Sequence, residues 1–231
     1  MRISLLTVFF MTFTFPFCSH SAGVQVGRTR IIYDASKKEV ALPLTNKEKD
    51  LPWLIQSWTD IGDGKTRGPF IITPPLFRLD AQKEQNLRIT WSGQALPTDH
   101  ESLFYMNVRT IPAMGKDEDD KNVLRLIYKT RLKLFWRPKG LHGTPVDTCK
   151  NLRFINDKNH LLVTNDGDFY SVFDSLKVGN TSLTKAELVA PKATVQFALP
   201  TAITSSKVSW RCITDYGNAT EEFTSGMKDG A

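Results

Sequence analysis

Histidine and cysteine are scarce in this chain, which holds four histidines and three cysteines in 231 residues. No C-x-x-C pair and no Cys/His spacing suits zinc, so a zinc module is excluded and no metal site is expected. No G-x-S-x-G elbow, phosphate-binding loop or dinucleotide fingerprint is present. Those absences remove the common motif-bearing hydrolases and nucleotide enzymes, and with them any expected cofactor. After the first residues, no stretch approaches the ~18 unbroken apolar residues of a spanning helix, so membrane insertion is not expected. Proline and glycine are scattered, and no repeat of fixed period occurs, which excludes low-complexity and solenoid architectures. Excess charge is mild, with 30 basic against 24 acidic residues and a net +6. Aromatic and basic residues do not combine into a stacking-plus-phosphate pattern, so nucleic acid is rejected as a partner. A basic cleft for a carboxylate is the more useful reading of the charge.

What the sequence does contain begins with an export signal over residues 1–22. Arg2 supplies the positive start. Ile3 to Phe17 is an apolar run interrupted only by small polar residues and Pro16, and Ser19-His20-Ser21-Ala22 offers a small-residue cleavage site. The cut falls after Ala22 or one residue earlier. A lipoprotein reading through Cys18 fits poorly with Phe15-Pro16-Phe17 in front of it. Loss of Arg2 takes the net charge of +6 to +5. Cys149 and Cys212 remain. In an oxidising compartment an even pair usually bonds; two buried free thiols are the alternative.

The mature chain suits one large domain or two of about 100 residues. Its strongest pattern is NVLRLIYKTRLKLFWRP, Asn122 to Pro138. Leu124, Leu126, Tyr128, Leu132, Leu134 and Trp136 alternate with Arg125, Lys129, Arg131, Lys133 and Arg137. A period of two predicts one long strand with a greasy face and a basic face. Such a strand is either a core strand with a solvated basic face or an edge that pairs with another chain. Shorter alternating runs precede it. Val24–Val26 and Thr29–Tyr33 read as one strand kinked at Gly27, and Pro74-Pro75 predicts a turn or a change of sheet. Arg137 to Pro145 is the best domain boundary. Short strands follow up to Ile213, and the polar tail after Thr220 reads as loose.

Two clusters invite chemistry and do not carry it. Asp99-His100-Glu101-Ser102 contains every member of a hydrolase triad, but neighbours on a strand point to opposite faces and cannot converge. No catalytic residue is assigned. Asp117-Glu118-Asp119-Asp120 lacks the ligand spacing and glycine of a calcium loop and reads as a solvated hairpin loop. His142 and His160 read as isolated and hydrated.

The segments TRIIY (29–33), TPPLF (73–77), LPTDHESLFYMNV (96–108), RLKLFWRP (131–138) and ITDYG (213–217) resemble, in order, those of the PapD-like periplasmic chaperones of chaperone–usher pili. The resemblance covers nearly the whole mature chain. It implies an all-β protein of two immunoglobulin-like sandwiches, residues 23–139 and 140–231, set as a boomerang. It also implies a non-enzymatic periplasmic role: binding, folding and capping pilin subunits by donor-strand complementation, and delivery to an outer-membrane usher. Arg30 and Lys133 match the pair of cleft cations that grip the subunit's terminal carboxylate. Leu124, Leu126 and Tyr128 match the alternating residues that enter its groove. Glu101, Arg137 and Asp215 match a trio that ties the two domains. Lys133 is odd-numbered and Tyr128 even, so the two share a function only across a bulge or by projection from opposite faces. The short link from Ile111 to Leu124 resembles the branch that builds rod-like pili. Whether the free protein pairs with itself stays open. The rival reading is an exported immunoglobulin-like adhesive or ligand-binding module. Neither half shows the Cys…Trp…Cys spacing of antibody domains.

Overall fold

The computed structural model describes residues 23–113, 124, 126–199 and 205–230. The first strands are β1 (Val24–Val26), β2 (Arg30–Asp34), β3 (Glu39–Asn46), β4 (Trp53–Asp60), β5 (Phe70–Thr73), β6 (Leu76–Leu79), β7 (Glu84–Trp91), β8 (Ser102–Pro112) and β9 (Tyr128–Arg137). They form a four-stranded sheet in the order β1-β3-β7-β5 and a five-stranded sheet in the order β2-β9-β8-β4-β6. The inner faces meet in one core. Leu42, Leu44, Leu87 and Ile89 of the first sheet pack with Ile31, Ile55, Met106 and Leu134 of the second, all fully buried. This is the packing of two sheets over alternating inward residues.

Consecutive strands repeatedly change sheet, and at two of these switches local chemistry explains the break. The segment expected to be one kinked strand is two strands in different sheets, because β1 pairs with β3 whereas β2 runs parallel to β9. At the break, the Gly27 amide donates to Pro43 O at 2.9 Å. A Cβ on Gly27 would lie 2.6 Å from Pro43 Cγ, so only glycine permits this approach. The second switch is Thr73-Pro74-Pro75, with a cis bond before Pro74, where the expected change of sheet occurs between β5 and β6. Proline has no amide hydrogen for a ladder, so the double proline ends one pairing and frees the chain to begin another.

Beyond residue 140 lie α1 (Pro145–Lys150), β10 (Arg153–Asp157), β11 (His160–Asn165), β12 (Ser171–Val178), β13 (Thr181–Ser182), β14 (Leu188–Val189), β15 (Ala193–Ala198), β16 (Lys207–Cys212), β17 (Phe223–Gly226) and β18 (Lys228–Asp229). Their sheets run β15-β11-β10-β18 and β13-β12-β16-β17, with β14 on β12. A second core of Leu161, Val163, Leu176, Val208 and Trp210 fills the space between them. Strand periodicity does not predict α1, yet its signals are local. Thr144 caps it by accepting from the Asp147 amide at 3.1 Å, and Pro145 opens the first turn. Cys149 on α1 is bonded to Cys212 on β16.

The expectation of a loose tail fails. β17 pairs with β16, and the parallel partner of β10 is β18. Phe223 is buried, with its ring 6.0 Å from that of Trp210. Two isolated apolar residues, Phe223 and Met227, in a polar segment give no alternation, so the sequence carried no strand signal there.

Candidate functional site

The site is built on β9. From Lys133 to Trp136 this strand has a partner on each side, parallel β2 and antiparallel β8. From Tyr128 to Leu132 only β8 accompanies it, because β2 starts at Arg30, opposite Lys133. The strand is therefore central at one end and an open edge at the other. The expected single strand from 122 to 138 is shorter than the alternation suggested. It starts at Tyr128, and Leu124, Leu126 and Ile127 precede it outside any ladder. Residues 122, 123 and 125 lie outside the described residues. Among the described residues Leu124, Leu126 and Ile127 have no strand partner, since β8 ends at Pro112, which has no amide hydrogen to continue the pairing. Leu124, Leu126 and Tyr128 are 86%, 53% and 55% exposed.

The question of parity is settled by the register. Pairing between β8 and β9 runs from Thr110↔Tyr128 to Ser102↔Trp136 without a shift, so no bulge intervenes. Tyr128, Leu132, Leu134 and Trp136 share the core side, and Lys133 projects from the opposite face. On that outer face Lys133 stands directly across from Arg30 on β2. Side chains at paired positions of adjacent strands emerge on the same side and interact. The outer face is less solvated than a basic stripe suggests. Arg131 reaches the fully buried Asp60 at 2.7 Å and covers the Tyr105 ring at 3.8 Å. Lys129 and Arg109 lie 5.4 and 5.2 Å from the Trp58 ring.

Arg30 is half-buried where the two sandwiches meet. Its Nη1 donates to Ile213 O at 3.0 Å, while its Nε is buried and lacks a partner among the described residues. Burial pulls the guanidinium pKa down, and the nearby Asp215 charge opposes that pull. Beside it opens a cleft of about 500 Å³, with Arg28, Arg30 and Pro43 on one wall and Asp215 and Tyr216 on the other.

Glu101, Arg137 and Asp215 come together. Arg137 Nε donates to Glu101 Oε1 at 2.7 Å, and Nη1 and Nη2 donate to the two Asp215 oxygens at 2.7 and 2.8 Å. The second oxygen of Glu101 accepts from the Tyr170 amide at 2.9 Å. Burial pushes the Glu101 carboxyl above the usual range, against the attraction of Arg137. Burial also works against the Arg137 charge, but hydrogen bonds and charges from Asp215 and Glu101 outweigh it and raise its pKa. Both oxygens of Glu101 accept hydrogen bonds, the arrangement of an ionised carboxylate. Glu101 is thereby engaged away from His100, whose ring pairs with exposed Asp99. The four residues 99–102 do not converge.

Sequence reasoning missed one member of this junction. Asp168, in the polar run Asn165-Asp166-Gly167-Asp168, is buried. Its carboxylate accepts from Lys192 Nζ and the His142 amide, both at 2.7 Å, and from His142 Nδ1 at 3.1 Å. Its carbonyl accepts from the Glu101 amide at 2.9 Å. His142, expected to be merely hydrated, keeps an exposed ring but anchors its backbone here. The ring of Phe135 lies 5.7 Å from that of Tyr170, and Arg137 lies over Phe169 at 5.2 Å. No signal in the sequence marks residues 168–170 as the patch that the first sandwich touches.

Residues 23–142 match the pili and flagellar-assembly chaperone, PapD N-terminal domain, and residues 147–224 match the pili assembly chaperone PapD, C-terminal domain. The chain is 40% identical over 208 residues, 90% of each chain, to the probable fimbrial chaperone LpfB of Escherichia coli O157:H7. Among solved structures it is similar to the SafB chaperone in complex with the SafA pilin of Salmonella enterica. There the TM-score is 0.81 at 33% identity, covering 90% of this chain and 97% of that one. It is also similar to the periplasmic chaperone SfaE, with a TM-score of 0.74 at 37% identity, covering 87% and 98%.

Proposed function

Because the chain belongs to the PapD family of pilus-assembly chaperones, we propose that it captures fimbrial subunits in the periplasm, completes their fold with the open edge of β9, and passes them to an outer-membrane usher. The observation that carries this reading is the change in β9 from central strand to open edge at Lys133, the residue that faces Arg30. A subunit lacking a strand needs backbone partners and apolar side chains at alternate positions. Upstream of Lys133 the edge offers backbone groups, with Tyr128 at its start and Leu124 and Leu126 before it. Burying each of these should contribute about 1.5–3 kcal/mol.

Arg30 and Lys133 fix the end of the guest. A terminal carboxylate between them gains charge-assisted hydrogen bonds worth about 1.5–3 kcal/mol each in a sheltered cleft. The Arg30 Nε, which has no partner among the described residues, is a donor such a carboxylate would take up. Anchoring one end also sets the register, since a one-residue slip would turn every greasy side chain away from the groove. The exchange is non-covalent. Glu101, Arg137 and Asp215 hold the two sandwiches at the angle that forms the cleft. The short link after Ile111 supports the branch that builds rod-like pili, and cleavage near Ala22 releases the mature chain.

The test is recovery of soluble complexes from the periplasm of cells making chaperone and subunit. Arg30→Ala or Lys133→Ala should lower recovery roughly tenfold or more, in keeping with the loss of a charge-assisted bond. Normal recovery with both variants overturns the carboxylate anchor.

A further inference from the structure

Facing Arg30 across the cleft is the turn Ile213–Asn218, and it is unusually well fixed. The Gly217 amide donates to Thr214 O at 3.0 Å, the Thr214 amide to Asn218 O at 2.8 Å, and Thr214 Oγ1 to Asn218 Oδ1 at 2.8 Å. Arg137 clamps Asp215, and Arg30 bonds the carbonyl of Ile213. Gly217 has φ +91°, and a Cβ there would lie 2.3 Å from Thr29 Oγ1, so this turn is wedged against the first sandwich. Every neighbour of Tyr216 thus has a structural task. Tyr216 has none: it is 95% exposed, and its hydroxyl forms no hydrogen bond among the described residues.

We infer that Tyr216 is a further subunit-binding residue, an aromatic wall against which an apolar side chain in the last few residues of the bound subunit packs. The inference rests on the carboxylate reading of Arg30, because the anchored end would bring those residues past the opposite wall of the same cleft. A tyrosine held on a rigid turn loses little freedom when it is covered, which is why such residues serve as binding anchors. An exposed ring contributes nothing to folding, so stability of the chaperone gives no reason for it. The chemistry selects an aliphatic or aromatic side chain, in contrast to the anion taken by Arg30.

Two measurements on the co-purified chaperone–subunit complex test this. Tetranitromethane should nitrate Tyr216 in the free chaperone and roughly tenfold less in the complex, read by peptide mass mapping. Tyr216→Ala should speed dissociation of the subunit roughly tenfold, as truncating a binding hot spot does, whereas Tyr216→Phe keeps the ring and stays within about twofold. Equal nitration in both states, or dissociation unchanged by Tyr216→Ala, overturns the inference. Arg30→Ala is measured in parallel. If it weakens the complex while Tyr216→Ala does not, only the aromatic wall fails. If Arg30→Ala changes nothing, the anchor fails, and with it the placement of Tyr216 beside the last residues of the subunit.

Discussion

Asp166 and Asp168 sit two residues apart in one turn and meet opposite fates. Asp166 is exposed and pairs with Arg153 at 2.7 Å; Asp168 is buried at the junction with the first sandwich. In the sequence both belong to Asn165-Asp166-Gly167-Asp168 and read alike. What separates them is the arrival of Lys192 and His142, residues distant in the chain. Hydrogen bonds from Lys192 and the His142 amide hold the Asp168 carboxyl at about 2. An unfolded aspartate titrates near ~3.9. The unfolded state therefore binds more protons between these values, so this residue's contribution is full above about pH 4 and is lost as pH falls toward 2. Asp168→Asn should cost about 1.5–3 kcal/mol in urea denaturation at pH 7, the range for hydrogen bonds to a charged group. The difference between wild type and variant should shrink between about pH 4 and 2. Equal stability of wild type and variant at pH 7 would show that the carboxylate does not brace this junction.

At the scale of the element, β9 divides into two halves with different duties. Leu134 is fully buried in the first core, whereas Leu126 lies beyond the ladder and is half exposed. Leu134→Ala should destabilise the free protein by about 2–5 kcal/mol. Leu126→Glu should leave its thermal midpoint unchanged and abolish subunit capture in a pull-down, because a charge cannot enter an apolar groove unpaired. Retained capture by Leu126→Glu would end the strand-lending account. The alternation from Leu124 to Trp136 was legible because side-chain period depends only on the backbone. Where the ladder begins was not, since that depends on the ends of β2 and β8.

For the whole molecule, two cores form from separate stretches of chain, and the bond between Cys149 and Cys212 lies within the second. It spans a sequence separation of 63 residues, for which the chain-entropy estimate is about 4 kcal/mol. Replacing both cysteines with serine should lower the unfolding midpoint of the second sandwich and leave the first core intact, as read by hydrogen exchange. Alkylation of the mature protein without reductant should find no free thiol. An unchanged midpoint, or two alkylated cysteines, would remove the bond from the account of stability.

Alternation, the double proline and the ordered segments were enough to specify strands, a sheet switch and the family likeness, because each is a property of neighbours along the chain. The placement of Arg30 across from Lys133, the clamp of Arg137 on Glu101 and Asp215, and the inward turn of Asp168 are properties of packing. They join residues far apart in sequence, and only folding brings these charged groups together in surroundings sheltered from water, where charges interact strongly.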